Sequence, residues 1–229
     1  MAEWLTEFLD DPGPATTAGL YVLAVLGILL PLYKLRRLGL VLVVYAAFIF
    51  PVAVTLSRIL NATVSGEWAN LWWYSPWALW PGPNAPLLLI GLLAYQITFA
   101  WCVSRNPFLI SDELAGITAL GFAIGRTGCV ANQCCAPVGE WFVGLGLLLA
   151  VLVWATPPVR GARTAVLAIG FGAMTVTLEL FRYTPIYTMG GVPVKLVSGA
   201  MLLVGASLAT LWFWDRRPVP ALMHRKQHR

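Results

Sequence analysis

Apolar residues run along this chain in long stretches broken by short polar, Pro-rich or Gly-rich segments. A helix needs about 20 apolar residues to cross a bilayer, within a range of roughly 17–25. The pattern predicts membrane-crossing helices over residues 18–33, 38–60, 86–104, 112–131, 141–156, 163–182 and 193–214, of which the first and fifth are short on that measure. Pro51 predicts a kink in the second, and Pro157-Pro158 ends the fifth. Between the second and third lies a segment, residues 61–84, rich in tryptophan and interrupted by Pro76, Pro81 and Pro83. Trp and Tyr favour the headgroup region, so this segment reads as re-entrant or surface-lying. It is either an aromatic belt that anchors the bundle or a wall beside a lipid entrance. No fixed-period repeat is present. The predicted fold is all-α, a single polytopic membrane bundle of about seven transmembrane helices spanning residues 1–229.

Composition agrees with that pattern. The chain is 59% hydrophobic and 11% charged, where soluble domains carry roughly a quarter charged residues. Nucleic acid is excluded as a partner class, because no basic helix or basic-aromatic module stands outside the apolar stretches. The start of the chain is acidic (Glu3, Glu7, Asp10, Asp11), the reverse of a secretory n-region, so the first apolar stretch is expected to be retained.

Charge placement sets an orientation. With seven spans, one side of the membrane receives eleven of the fifteen Lys and Arg residues, and the other receives only Arg58, Arg126, Arg182 and Lys195. Positive charge accumulates on the cytoplasmic side. The N-terminus is therefore expected outside, and the basic tail, residues 215–229, in the cytoplasm.

Two arginines then stand out by depth. Arg126 is fourteen residues beyond Asp112, roughly 21 Å along a helix, and Arg182 is nineteen beyond Arg163, roughly 28 Å. Both are expected near the outer headgroups. A guanidinium stays charged and presents a planar fork of donors that matches phosphate, so the pair suits an anionic phospholipid. Glu179 lies three residues before Arg182, on the same helix face. Gly121, Gly125 and Gly128 remove bulk from the helix carrying Arg126, which permits close helix approach or leaves room for a ligand. The competing role for Arg126 is purely structural, bonded to Glu179, Glu140 or backbone carbonyls.

Three of the four cysteines, Cys129, Cys134 and Cys135, cluster beside Arg126, whereas Cys102 falls at the other end of its span. An oxidising compartment would allow a disulfide from Cys129 to Cys134 or Cys135. The adjacent guanidinium would alternatively favour a thiolate. The spacing does not match common zinc sites, and no metal or cofactor is expected. Asn61-Ala-Thr63 fits the glycosylation sequon, a short and frequent motif.

The run Gly125-Arg-Thr-Gly-Cys-Val-Ala-Asn132 resembles the signature of prolipoprotein diacylglyceryl transferases. Ser111-Asp-Glu-Leu-Ala115 resembles the family's preceding segment, and Leu178-Glu-Leu-Phe-Arg182 its Glu-Phe-Phe-Arg element. The last span, beginning near Val194 with Ser198, also resembles the family's final helix, so the likeness covers roughly residues 85–212. Cysteine stands at 129, where the family usually has asparagine, and at 134, where it has an acidic residue; these mark a divergent, cysteine-containing branch. The resemblance implies seven spans in a bacterial inner membrane and a transferase that moves diacylglyceryl from phosphatidylglycerol to a prolipoprotein cysteine thiol. In this branch the acceptor can differ. It further implies that Arg126 and Arg182 hold the phosphate, that Glu179 orients Arg182, and that Gly125, Gly128, Cys129, Asn132 and Cys134 belong to the lipid-binding motif. Glu179, Glu140, Tyr95 or a thiolate could act as base. The alternative is a non-catalytic lipid-binding or thiol-bearing membrane protein on the same scaffold. A transporter is disfavoured, because no inverted repeat or paired broken helices are visible.

Overall fold

The computed structural model describes residues 39–66, 85–104, 106–131, 138–157, 159–181, 188–189 and 192–215. Within them the chain forms six helices: α1 (Leu40–Ser65), α2 (Ala85–Val103), α3 (Leu109–Ala131), α4 (Val138–Ala155), α5 (Ala162–Leu180) and α6 (Val194–Asp215). A two-residue antiparallel pairing of β1 (Thr188–Met189) with β2 (Val192–Pro193) precedes α6. The predicted stretch 18–33, the tryptophan-rich residues 67–84 and most of the basic tail lie outside the described residues.

Three stretches are long and apolar enough to cross a membrane: Val43–Val64 in α1, Ala85–Val103 (α2) and Ala162–Leu180 (α5). Shorter apolar runs occupy Glu140–Ala155 and Lys195–Leu211. The outward faces are correspondingly apolar, with Leu148, Val151 and Leu152 exposed on α4 and Val204, Leu208 and Leu211 on α6. Contiguous exposed apolar surface of this extent needs a partner, and for helices of this length a bilayer supplies it.

One boundary differs from expectation. Residues 61–65 continue α1 rather than opening a loop. The helix runs on until Gly66 adopts a left-handed conformation (φ 77) and its N–H bonds back to Ala62. Thr63 bonds its hydroxyl to the carbonyl of Ile59, one turn back in the same helix. The sequon at Asn61 therefore lies in helical backbone.

Sequential helices pack most extensively in the pairs α3–α4, α5–α6 and α1–α2, while α3 and α5 run side by side in the same direction. Small residues set the close approaches. A Cβ at Gly146 would come 2.9 Å from the Ala123 Cβ, one at Gly172 would come 2.7 Å from the Leu203 nitrogen, and one at Gly91 would come 2.7 Å from the Ala53 oxygen. Packing of this kind drives helix association where lipid is as apolar as the protein. Gly121, by contrast, faces open space among the described residues, so close approach of α3 comes through Ala123 and Gly146 instead. The main core joins Leu89, Ala119, Phe142, Val153, Phe171 and Leu202, contributed by five helices.

Candidate functional site

The end of α3 carries the arginine. Arg126 is half-buried, and its guanidinium carbon sits 4.9 Å from the centre of the Phe142 ring on α4. Attraction between a cation and a ring face at such a distance is worth roughly 0.5–2 kcal/mol, more when desolvated. Phe142 is buried and meets Phe171 of α5 edge-on, with ring centres 5.7 Å apart. Phe171 in turn packs against Phe122 of α3 at 4.7 Å. Arg126 thus caps a three-ring stack that ties α3, α4 and α5 together. The geometry follows from Gly146, one turn from Phe142, and Ala123, one turn from Arg126: their contact draws the two helices close enough for the ring to lie under the cation. That contact itself consumes none of the five N–H donors of a guanidinium.

The parallel pair α3 and α5 shows where Glu179 falls. Asp112 on α3 bonds to Gly161 and Thr164, 49 and 52 residues later, and Phe122 meets Phe171 at the same offset. Carried on to Arg126, this register reaches residues 175–178 of α5. Glu179 then lies one to four residues further along, roughly 1.5–6 Å in axial height. It is half-buried in the last turn of α5. Glu140 is exposed in the first turn of α4, two residues before Phe142. On the exterior of the same end, Trp141 of α4 and Phe181 meet edge-on with ring centres 5.9 Å apart, both about half exposed.

Of the motif residues, Gly125 is half-buried in α3, and Gly128 and Cys129 occupy the helical backbone of its last turn. Asn132, Cys134, Cys135 and Arg182 lie outside the described residues, as does any pairing of the three clustered cysteines. Cys102 is free and exposed near the end of α2. Among the described residues no group of three His, Cys, Asp or Glu side chains could hold a metal ion.

Tyr95 belongs elsewhere. Its hydroxyl donates to the Tyr45 carbonyl at 3.3 Å, and its ring stacks on Tyr45 at 5.5 Å. It packs against a cluster containing Ile110 and Leu114. Leu114 is twelve residues from Arg126 along α3, about 18 Å, too far for Tyr95 to serve as a base there. The same α1–α2 pair buries three polar atoms without a hydrogen-bond partner among the described residues: Tyr45 Oη, Ser57 Oγ and Gln96 Nε2.

Sequence reasoning missed two features. Phe142 was indistinguishable from any other apolar residue of α4 until helix packing put it beneath Arg126. Asp112 entered the sequence reading as a depth marker and as part of the Ser111–Ala115 segment, with no contact assigned to it, yet it ties α3 to the start of α5. Its Oδ2 accepts from the Gly161 N–H at 2.6 Å, and its Oδ1 accepts from the Thr164 N–H at 2.9 Å and hydroxyl at 2.7 Å. No local signal joined Asp112 to Gly161 and Thr164, which lie 49 and 52 residues later.

Compared with known proteins, the chain matches no family and no curated protein.

Proposed function

We propose that this chain is a seven-span protein of a bacterial inner membrane, N-terminus outside, whose Arg126 and Arg182 hold the phosphate of an anionic phospholipid for diacylglyceryl transfer to a thiol. The observation that carries this reading is the placement of Arg126. It is half-buried at a helix end, seated on the Phe142 ring, and within about a turn in height of Glu179 at the end of α5, the helix whose sequence leads to Arg182. An ionisable residue in a membrane segment marks function by default. The resemblance to prolipoprotein diacylglyceryl transferases supports the same site.

The chemistry is a displacement at the glyceryl carbon. The acceptor sulfur forms a C–S bond to that carbon as the C–O bond to phosphate breaks. The electron pair stays on the departing glycerol phosphate, and the thiol proton passes to a base. Guanidinium groups held beside the phosphate would stabilise the charge that develops on the leaving group. Among the described residues, Glu179 and Glu140 are the carboxylates at this end of the bundle. The acceptor is a prolipoprotein cysteine thiol or a different acceptor.

Purified protein incubated with labelled phosphatidylglycerol and a peptide bearing a lipoprotein-type cysteine should yield a peptide heavier by one diacylglyceryl group. Arg126→Ala and Arg182→Ala should each abolish that product while the protein still inserts. Undiminished product from both variants would remove the proposal. Lipid bound without any product would instead favour a non-catalytic lipid-binding protein.

A further inference from the structure

We infer that Asp112 is a positioning residue: by capping α5 from α3, it sets the axial register of the helices that carry Arg126 and Glu179. The inference rests on the phosphate-binding reading of Arg126 for its functional consequence, but not for its structural one.

The first N–H groups of a helix have no partners inside it. Local sequence usually supplies an acceptor at the N-cap. In α5 the N-cap is Gly161, with φ 80 and no side chain to offer. The acceptor comes instead from Asp112, on a different helix, whose two oxygens receive three hydrogen bonds from Gly161 and Thr164. Thr164 is nearly fully buried, and its hydroxyl is 2.9 Å from that of Ser111, which is wholly buried. A carboxylate at a helix N-terminus also meets the positive end of the helix dipole.

Such a contact fixes height in a way the rest of the interface does not. The α3 residues in the shared core include Ala115 and Ala119, beside Leu167 and Ala168 of α5. Apolar contacts are non-directional, and small side chains resist sliding weakly. Hydrogen bonds fail when displaced by even about 0.5–1 Å, less than the 1.5 Å rise of one residue. The offset set at Asp112 is still present at Phe122 and Phe171, ten residues on. From there a rigid helix carries it to Arg126, about 21 Å from Asp112. Displacement of reacting groups by about 1 Å can cost on the order of a hundredfold in rate.

The test is a distance between the far ends of the two helices. Spin labels go on Thr127→Cys and Leu180→Cys, both at exposed positions, in full-length protein with the native cysteines replaced. Asp112→Ala should broaden and shift the distance distribution, by roughly 1.5 Å or more of axial slip. Asp112→Asn, which keeps one acceptor oxygen, should move it less, and Thr164→Val should give an intermediate change. In the native-cysteine background, Asp112→Ala should lower phosphatidylglycerol affinity at least about tenfold with helicity retained. If Asp112→Ala does not fold, Asp112→Asn and Thr164→Val carry the graded readout. A wild-type distance in all folded variants overturns the inference. A shifted distance in a protein that never binds phosphatidylglycerol keeps the register role and removes the phosphate reading instead.

Discussion

Arg126 on α3 and Phe142 on α4 face one another across the end of the bundle, the guanidinium carbon 4.9 Å from the ring centre. The ring attracts the cation through its quadrupole and holds it at the end of the bundle. Replacing Phe142 by Leu keeps most of the apolar volume but removes the ring face. A contact of this kind is worth roughly 0.5–2 kcal/mol, which is about 2- to 30-fold in an equilibrium constant. Phe142→Leu is therefore expected to weaken binding of phosphatidylglycerol vesicles within that range, and Phe142→Tyr to preserve it. Vesicle co-sedimentation at fixed ionic strength measures this, and wild-type affinity in Phe142→Leu would show that the ring does not hold the cation in place.

The glycines of the bundle divide by what they face, and substitution should separate them. A methyl at Gly172 would come 2.7 Å from the backbone nitrogen of Leu203, and one at Gly146 would come 2.9 Å from the Ala123 Cβ. Neither neighbour is the free end of a flexible chain, so a helix must move. Overpacking of this kind costs typically about 1–3 kcal/mol. Gly121 has nothing within 4 Å of an added Cβ among the described residues, and alanine is favoured over glycine in a helix by roughly 1 kcal/mol. Thermal unfolding in detergent should show lower melting temperatures for Gly172→Ala and Gly146→Ala and no decrease for Gly121→Ala. Equal losses at all three positions would contradict the packing described.

The helices themselves were legible because the bilayer imposes a length on apolar runs. The predicted stretch 86–104 corresponds to α2 at Ala85–Val103, and 163–182 contains α5 at Ala162–Leu180 apart from its first residue. Where polarity and backbone disagreed, polarity misled. Asn61, Thr63 and Ser65 look like loop residues, yet the helix ends only at Gly66, where a left-handed conformation is available. The place of Arg126 near the far end of its helix from Asp112 was also legible, since helix rise converts sequence distance to height along the helix. Its ring partner was not, because that depends on which helix faces meet, and the deciding contact is between Ala123 and Gly146. For the same reason, no local pattern could assign Asp112 to a helix N-terminus 49 residues away.

Tyr95 offers a test of what lies outside the site. Its hydroxyl donates to the Tyr45 carbonyl at 3.3 Å, in a cluster with Phe99 near the Asp112 end of the bundle. Hydrogen bonds between membrane helices average about 0.6 kcal/mol. Tyr95→Phe is expected to lower the melting temperature slightly and leave transfer to a thiol peptide at the wild-type rate. A large loss of transfer with stability retained would return Tyr95 to the list of candidate bases.

Charge alone and the shape of the charged group can be told apart at Arg126. Lysine keeps the positive charge and can also rest over the Phe142 ring, so a site needing only a cation at this depth would tolerate it. A guanidinium adds a rigid planar fork that meets two phosphate oxygens at once, whereas an ammonium is a compact point charge. The proposed role requires the phosphate to be held in one orientation while its bond to the glyceryl carbon breaks. Arg126→Lys is therefore expected to retain part of the phospholipid binding, because the electrostatic attraction persists. Transfer should fall much further, at least about tenfold beyond the binding loss, corresponding to one lost charge-assisted hydrogen bond of about 1.5–3 kcal/mol. Measuring both quantities on one preparation separates the two contributions. If binding and transfer fall in equal proportion, the fork has no role beyond holding the lipid. If neither falls, Arg126 acts as a generic positive charge and the orientation it was assigned must come from another residue.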